Sequence, residues 1–180
     1  MRLFIGIHLS RPVVEELSAF TLGLRSAGDG LRWSLPESWH ITLQFLGNTT
    51  QDQLDCILPR LREIRSGLVP VQLEATGFFD RAGIFFADVR VTPELRSLHQ
   101  QVSAATNPCG FQPEDRPYHP HITLAQTKGK SGSQSMKVLK KGIKTQPSFT
   151  PFAAQEFALY ESFLGREGSR YEIREHFLLG

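Results

Sequence analysis

The chain has 180 residues, a formal net charge of +2, 40% hydrophobic and 21% charged residues, the composition of one soluble globular domain or two small lobes. No apolar run approaches the roughly 20 residues of a membrane-spanning helix, the start Met1-Arg2-Leu3-Phe4-Ile5-Gly6 has no cleavage-site pattern, and so mild a charge excludes a duplex-DNA coat built on many neutralised phosphates. Cys56 and Cys109 are too few for a disulfide framework or a cysteine zinc site, so a reducing cytoplasm is the expected compartment.

In chain order, Leu3 to Leu9 is β-branched and aromatic and reads as a strand. Pro12 then takes an early helical position, followed by Val14, Leu17 and Leu24 at helical spacing, with Gly28-Asp29-Gly30 as the stop. A loop leads into a strand at His40-Ile41-Thr42-Leu43. A second helix is predicted from Asp52 to Ser66, with the stripe Leu54, Ile57, Leu58, Leu61, Ile64 and a Thr50/Gln53 capping box. Strand signal returns from Val69 to Phe78 and from Ile84 to Val89. Thr92 and Pro93 open a third helix carrying Leu95, Leu98, Val102 and Ala105, which Asn107-Pro108-Cys109-Gly110 closes. After a strand at His121-Ile122-Thr123-Leu124 come a flexible basic loop, Lys128-Gly129-Lys130-Ser131-Gly132-Ser133, and a weaker helix near Ser135 to Lys144. Strands at Phe157 to Ser162 and Tyr171 to Phe177 end the chain.

This order is a duplication. At an offset of 81 residues His40-Ile41-Thr42-Leu43 becomes His121-Ile122-Thr123-Leu124, while Phe4, Pro12, Leu17 and Pro36 become Phe85, Pro93, Leu98 and Pro117. Each half reads β-α-β-α-β. The expected architecture is α+β: one domain over residues 1–180 made of two pseudo-symmetric halves, about 1–80 and 81–180, with antiparallel sheets lining a central cleft and helices on the outer faces.

Residues i and i+2 of a strand share a face, so His40 projects with Thr42 and His121 with Thr123, while their Ile and Leu neighbours turn to the core. Two imidazoles and two hydroxyls on one cleft suit a phosphodiester. A neutral His takes a proton from water, a protonated His gives one to a leaving alkoxide, and the hydroxyls donate to nonbridging oxygens.

On these residues the chain resembles the two-histidine phosphoesterases, and among them the bacterial RNA 2′,3′-cyclic phosphodiesterases long called 2′-5′ RNA ligases. The resemblance runs through Arg2-Leu3-Phe4-Ile5, Arg32-Trp33, Pro36-Glu37, His40 to Gly47, Gly110 to Glu114, Arg116 to Ala125 and Leu159-Tyr160-Glu161-Ser162. It implies hydrolysis of an RNA or oligonucleotide 2′,3′-cyclic phosphate end to a 2′-phosphate, with His40 as proton donor to O3′, His121 as the base that activates water, and Thr42 and Thr123 as phosphate donors. It implies a weak reverse 2′-5′ ligation as well; the chemistry is expected to need no metal or cofactor, no membrane partner is expected, and since nothing in the sequence demands an oligomer a cytoplasmic monomer is the expectation. The chain departs from the family at Gln126, where a basic residue is common.

The flanking residues carry less. His119-x-His121 has metal-ligand spacing, but Pro120 interrupts it and Ser38 stands in the first copy, so His119 is expected to orient its neighbour or lie at an edge. Arg116 is placed to meet phosphate or to form a surface ion pair. Tyr118, Trp39 and Phe45 could stack on a base, with core packing the expectation for Phe45. Lys128, Lys130, Lys137, Lys140, Lys141 and Lys144 read as a solvated face, and His8, His99 and His176 as structural. An alternative of another class is a nucleotide- or RNA-end-binding module that uses the same cleft without efficient turnover.

Overall fold

In the computed structural model, which describes residues 1–26, 29–129, 131–165 and 168–180, the chain runs β1 (Arg2–His8), α1 (Arg11–Leu22), β2 (Leu31–Trp33), β3 (His40–Asn48), α2 (Gln51–Arg62), β4 (Val69–Val71), β5 (Leu73–Phe79), β6 (Ile84–Val89), α3 (Pro93–Thr106), β7 (His121–Thr127), α4 (Gly132–Gly142), β8 (Phe152–Ala154), β9 (Glu156–Gly165) and β10 (Gly168–Leu178). The predicted residues Gly28 and Lys130 lie outside the described residues. The duplication extends past its sequence signal: α2 starts at residue 51 and α4 at residue 132, at the same offset as the histidines.

Two four-stranded antiparallel sheets form, ordered β10-β9-β1-β3 and β2-β7-β6-β5, with a small β4-β8 ladder besides. The halves therefore exchange strands. β5 leaves the first half to pair with β6, and β9 leaves the second half to pair with β1. Neither sheet is complete from residues of one half alone, so both copies must fold together.

One continuous core runs under both sheets and includes Ile7, Leu17, Ile41, Ile57, Leu61, Phe85, Leu98, Ile122 and Leu159. Each such side chain contributes about 1.5–3 kcal/mol by leaving water. In α1 the fully buried face is Val13, Leu17 and Thr21, in strict i, i+4, i+8 spacing, while the expected Val14 and Leu24 pack partly buried against the same core. The Thr50 cap is real: its Oγ1 accepts from Gln53 N at 3.2 Å, and Gln53 Oε1 accepts from Thr50 N at 3.1 Å.

The cysteine expectation is corrected. Cys56 on α2 and Cys109, in the turn after α3, form a disulfide with Cα atoms 5.8 Å apart. Packing of α2 against α3 and its closing turn brings them together, across a separation of 53 residues that no local pattern announces. No described helix is long and apolar enough to cross a membrane.

Candidate active site between the paired strands

β3 and β7 lie against one another, and each presents the same short surface. Along β3 His40 and Thr42 are half-buried while Ile41 and Leu43 are buried; along β7 His121 and Thr123 are half-buried while Ile122 and Leu124 are buried. The period of two thus places imidazole and hydroxyl together on the open face of each strand. Each strand then carries the same irregularity. Leu43 is skipped between the pairs Gly6↔Thr42 and Ile5↔Gln44, and Leu124 between Phe86↔Thr123 and Phe85↔Ala125. Such bulges flip the alternation and bend a strand beside a site.

The bulge corrects the reading of Phe45. Gln44 and Leu46 turn inward, and Phe45 is 63% exposed. Gln44 is satisfied in the interior because its Oε1 accepts from Thr106 Oγ1 at 2.7 Å.

Both imidazoles are held alike. His40 Nδ1 is 2.8 Å from the Ser38 carbonyl, and His121 Nδ1 is 2.8 Å from the His119 carbonyl. A carbonyl only accepts, so in each ring Nδ1 carries the hydrogen and Nε2 is left for chemistry. Sequence symmetry is here a symmetry of tautomer.

The rings stand on aromatic shelves. His40 lies 4.4 Å from Phe4 and edge-on to Tyr171 at 5.1 Å, and Tyr160 stacks on Phe4 at 4.8 Å. His121 lies edge-on to Phe79 at 5.0 Å and to Phe86 at 5.4 Å. Phe4 and Phe85 match in sequence but not in space: Phe4 supports His40, whereas Phe85 is in the core and Phe86 supports His121. A one-residue difference in ladder register exchanges the faces. Beneath His40, Gly6 has no room for a side chain, since a Cβ there would sit 2.8 Å from the Ile41 carbonyl oxygen and 3.6 Å from His40 Cδ2.

Burial among these rings pushes the His40 pKa down to about 4, with the charge of His121 adding to the fall. His121 is also lowered, chiefly by burial and further by the charge of the His119 ring, while its bond to the His119 carbonyl and the Asp88 carboxylate work to raise it. Asp88 faces His121 in the β6–β7 ladder, where His8 faces His40 in the β1–β3 ladder. The Asp88 carboxylate oxygen is 2.9 Å from His119 Nε2. The spacing that resembled a metal motif is thus used otherwise: His119 binds Asp88 through its ring and His121 through its carbonyl. Among the described residues no group of three or more His, Cys, Asp or Glu side chains gathers as metal ligands would.

The remaining predicted residues divide. Arg116 is exposed and ion-paired with Glu114 at 2.9 Å. Tyr118 donates its hydroxyl to the Thr42 carbonyl at 3.0 Å and stacks on His99 at 3.9 Å, so it ties the second motif's approach to the first motif's strand. Burial raises its pKa. Trp39 is 4% exposed in the core, which takes it out of base stacking. Lys140 pairs with Asp80 at 3.3 Å on the surface. His8 and His176 both lie against Glu156, at 3.6 and 2.7 Å.

A groove of about 660 Å³ lies on the His40 side, with Arg32, Trp33, Ser38, Gln126, Arg170 and Tyr171 in its walls and neither His40 nor His121 lining it. Ser38 and Tyr171 are also the residues that hold and flank His40.

The 2'-5' RNA ligase superfamily profile matches residues 10–162. This chain belongs to that superfamily. Its relatives there include an RNA 2',3'-cyclic phosphodiesterase of Aeropyrum pernix, 30% identical over 89% of this chain and 93% of the relative. One of Archaeoglobus fulgidus is 27% identical over 96% and 97%. Among solved structures, E. coli LigT complexed with 3'-AMP superposes with a TM-score of 0.83 at 24% identity, over 99% of this chain and 97% of that one. The superfamily fold is thus present along nearly the whole chain, including the exchanged strands β5 and β9.

Proposed function

We propose that this chain is an RNA 2′,3′-cyclic phosphodiesterase that needs no metal ion. The observation that carries the reading is the pair of imidazoles, each with Nδ1–H given to the carbonyl two residues earlier and Nε2 left for proton transfer. Water attacks phosphorus, His121 Nε2 takes its proton, the P–O3′ bond breaks, and His40 Nε2–H protonates O3′. The product is a 2′-phosphate with a free 3′-hydroxyl. Thr42 and Thr123 donate to the nonbridging oxygens, and the two histidines return to their starting states through solvent. With a 5′-hydroxyl in place of water, the same groups carry a weak 2′-5′ ligation: the P–O5′ bond forms as the P–O3′ bond of the cyclic phosphate breaks, His121 takes the hydroxyl proton and His40 protonates O3′.

The substrate is an RNA strand end, with the nucleotide that bears the cyclic phosphate lying along the groove walled by Arg32, Trp33 and Arg170. The matched relatives bear the name RNA 2',3'-cyclic phosphodiesterase, which supports the reaction class, and one domain acting as a monomer is sufficient for it.

The test is product analysis with a nucleoside 2′,3′-cyclic phosphate, in EDTA. Wild-type protein should yield only the 2′-phosphate, undiminished by the chelator. His40→Ala and His121→Ala should each lose roughly 10²–10⁴ in kcat with unchanged thermal unfolding. Near-normal turnover by His121→Ala, or activity abolished by EDTA and restored by zinc or manganese, would overturn the mechanism.

A further inference from the structure

The two motifs are twins in sequence and tautomer, yet hydrolysis needs one imidazole to accept a proton and the other to donate one. Something outside the motifs must break the symmetry, and it breaks at two matched positions. Opposite His40 in the ladder stands His8, but opposite His121 stands Asp88. Two residues before His40 stands Ser38, whose hydroxyl turns back to the Leu35 carbonyl at 2.7 Å; two residues before His121 stands His119.

We propose that Asp88 and His119 form a positioning pair that makes His121, and not His40, the acceptor of the proton from water. The inference rests on the cyclic phosphodiesterase reading of the site and names what assigns its roles. A carboxylate only accepts, so His119 Nε2 carries the hydrogen of the 2.9 Å bond to Asp88. The same residue's carbonyl holds His121 Nδ1–H at 2.8 Å.

The segment between is clamped as well. Pro120 is buried, its ring limits the backbone, and its carbonyl accepts from Val89 N at 3.1 Å. Val89 N also donates to Asp88 Oδ1 at 3.2 Å. The His119 and His121 rings, 5.9 Å apart, share the Phe79 and Phe86 shelf. The pair therefore sets both the aim of His121 and the field around it. As His121 takes a proton from water it becomes a cation beside a fixed carboxylate. The ionisable groups around His121 are Asp88 from β6, His119 from the segment that leads into β7 and His40 from β3. Asp88 is the one anion among them.

The experiment uses Asp88→Asn, which keeps an acceptor for His119 and removes only the charge, with His119→Ser, which installs the residue of the first half. Histidine-labelled protein is titrated by NMR without substrate, so this arm does not depend on turnover. Asp88→Asn should lower the His121 midpoint by about one pH unit and leave that of His40 in place. Its kcat should fall about 10-fold with KM changed less than about 3-fold. His119→Ser, which keeps the carbonyl that holds His121 but loses the ring that binds Asp88, should lower kcat more weakly and should not lower the His121 midpoint.

A cyclic substrate with sulfur at the 3′ leaving position decides the direction, because a departing thiolate needs no proton. On it His40→Ala should recover most of its rate, while Asp88→Asn and His121→Ala stay slow. An unmoved His121 midpoint, equal movement of both imidazoles, or recovery of Asp88→Asn on the thio substrate would each overturn the proposal. A wild-type protein that left every cyclic phosphate unopened would instead overturn the reaction itself.

Discussion

Binding a singly charged phosphodiester should raise the His40 pKa from about 4 to near neutrality. In the free protein His40 is held down to about 4, chiefly by burial, so at pH 7 only about one molecule in 10³ carries the proton that the proposed donor must give. The substrate itself can correct this. A unit negative charge about 4 Å from the ring, in an effective dielectric of about 20, favours the imidazolium by about 4 kcal/mol. At about 1.4 kcal/mol per pKa unit, that is about three units, which brings His40 to about 7. Binding is then coupled to proton uptake, and the sign follows. Between about pH 4 and pH 7 the free ring is neutral and the bound ring protonated, so Kd should rise about 10-fold for each unit of increasing pH. The assay is NMR titration of histidine-labelled protein with and without 3′,5′-cyclic AMP, a singly charged diester that lacks the 2′ linkage, with His40→Gln to assign the resonance. A His40 midpoint near 6.5 in the free protein, or one still below 5 in the saturated complex, would refute the reasoning.

Gly6→Ala should destabilise the protein by about 1–3 kcal/mol, because the new Cβ would lie 2.8 Å from the Ile41 carbonyl oxygen; thermal unfolding reads the loss, and an unchanged Tm would refute the close approach beneath His40. Replacing Cys56 and Cys109 together by Ser should cost about 2–4 kcal/mol by opening a cross-link between residues 53 apart, a fall in Tm of about 5–15 °C. A Tm within a degree of wild type would show that the bond does not constrain the unfolded chain.

The legible part of the site was its paired part. His40, Thr42, His121 and Thr123 stood out because the motif occurs twice and because the strand period ties each hydroxyl to its imidazole. Phe4, Phe79, Phe86 and Tyr171 did not stand out. They reach the histidines from neighbouring strands, and no periodicity within one strand says which residue of another lies alongside. Phe45 was placed wrongly for a related reason: the bulge at Leu43 inverts the alternation that sequence reasoning extends in a straight line. His119 was legible as a residue expected to orient its neighbour or lie at an edge, but nothing in the sequence tied it to Asp88. Their bond spans 31 residues.

Local chemistry, repeated, was enough for the sequence to determine the order of the longer strands and helices, the repeat at an offset of 81 and the four candidate side chains, but not the short strands β2 and β8 or the break between β4 and β5, since periodicity, caps and turn residues act within a few positions. Long-range pairing decided the rest. Exchange of β5 and β9 between halves, the Cys56–Cys109 bond and the carboxylate opposite His121 each depend on which distant segments bury their apolar faces together. That choice is made by the packing of the whole chain, and it is what gives two identical motifs unlike surroundings.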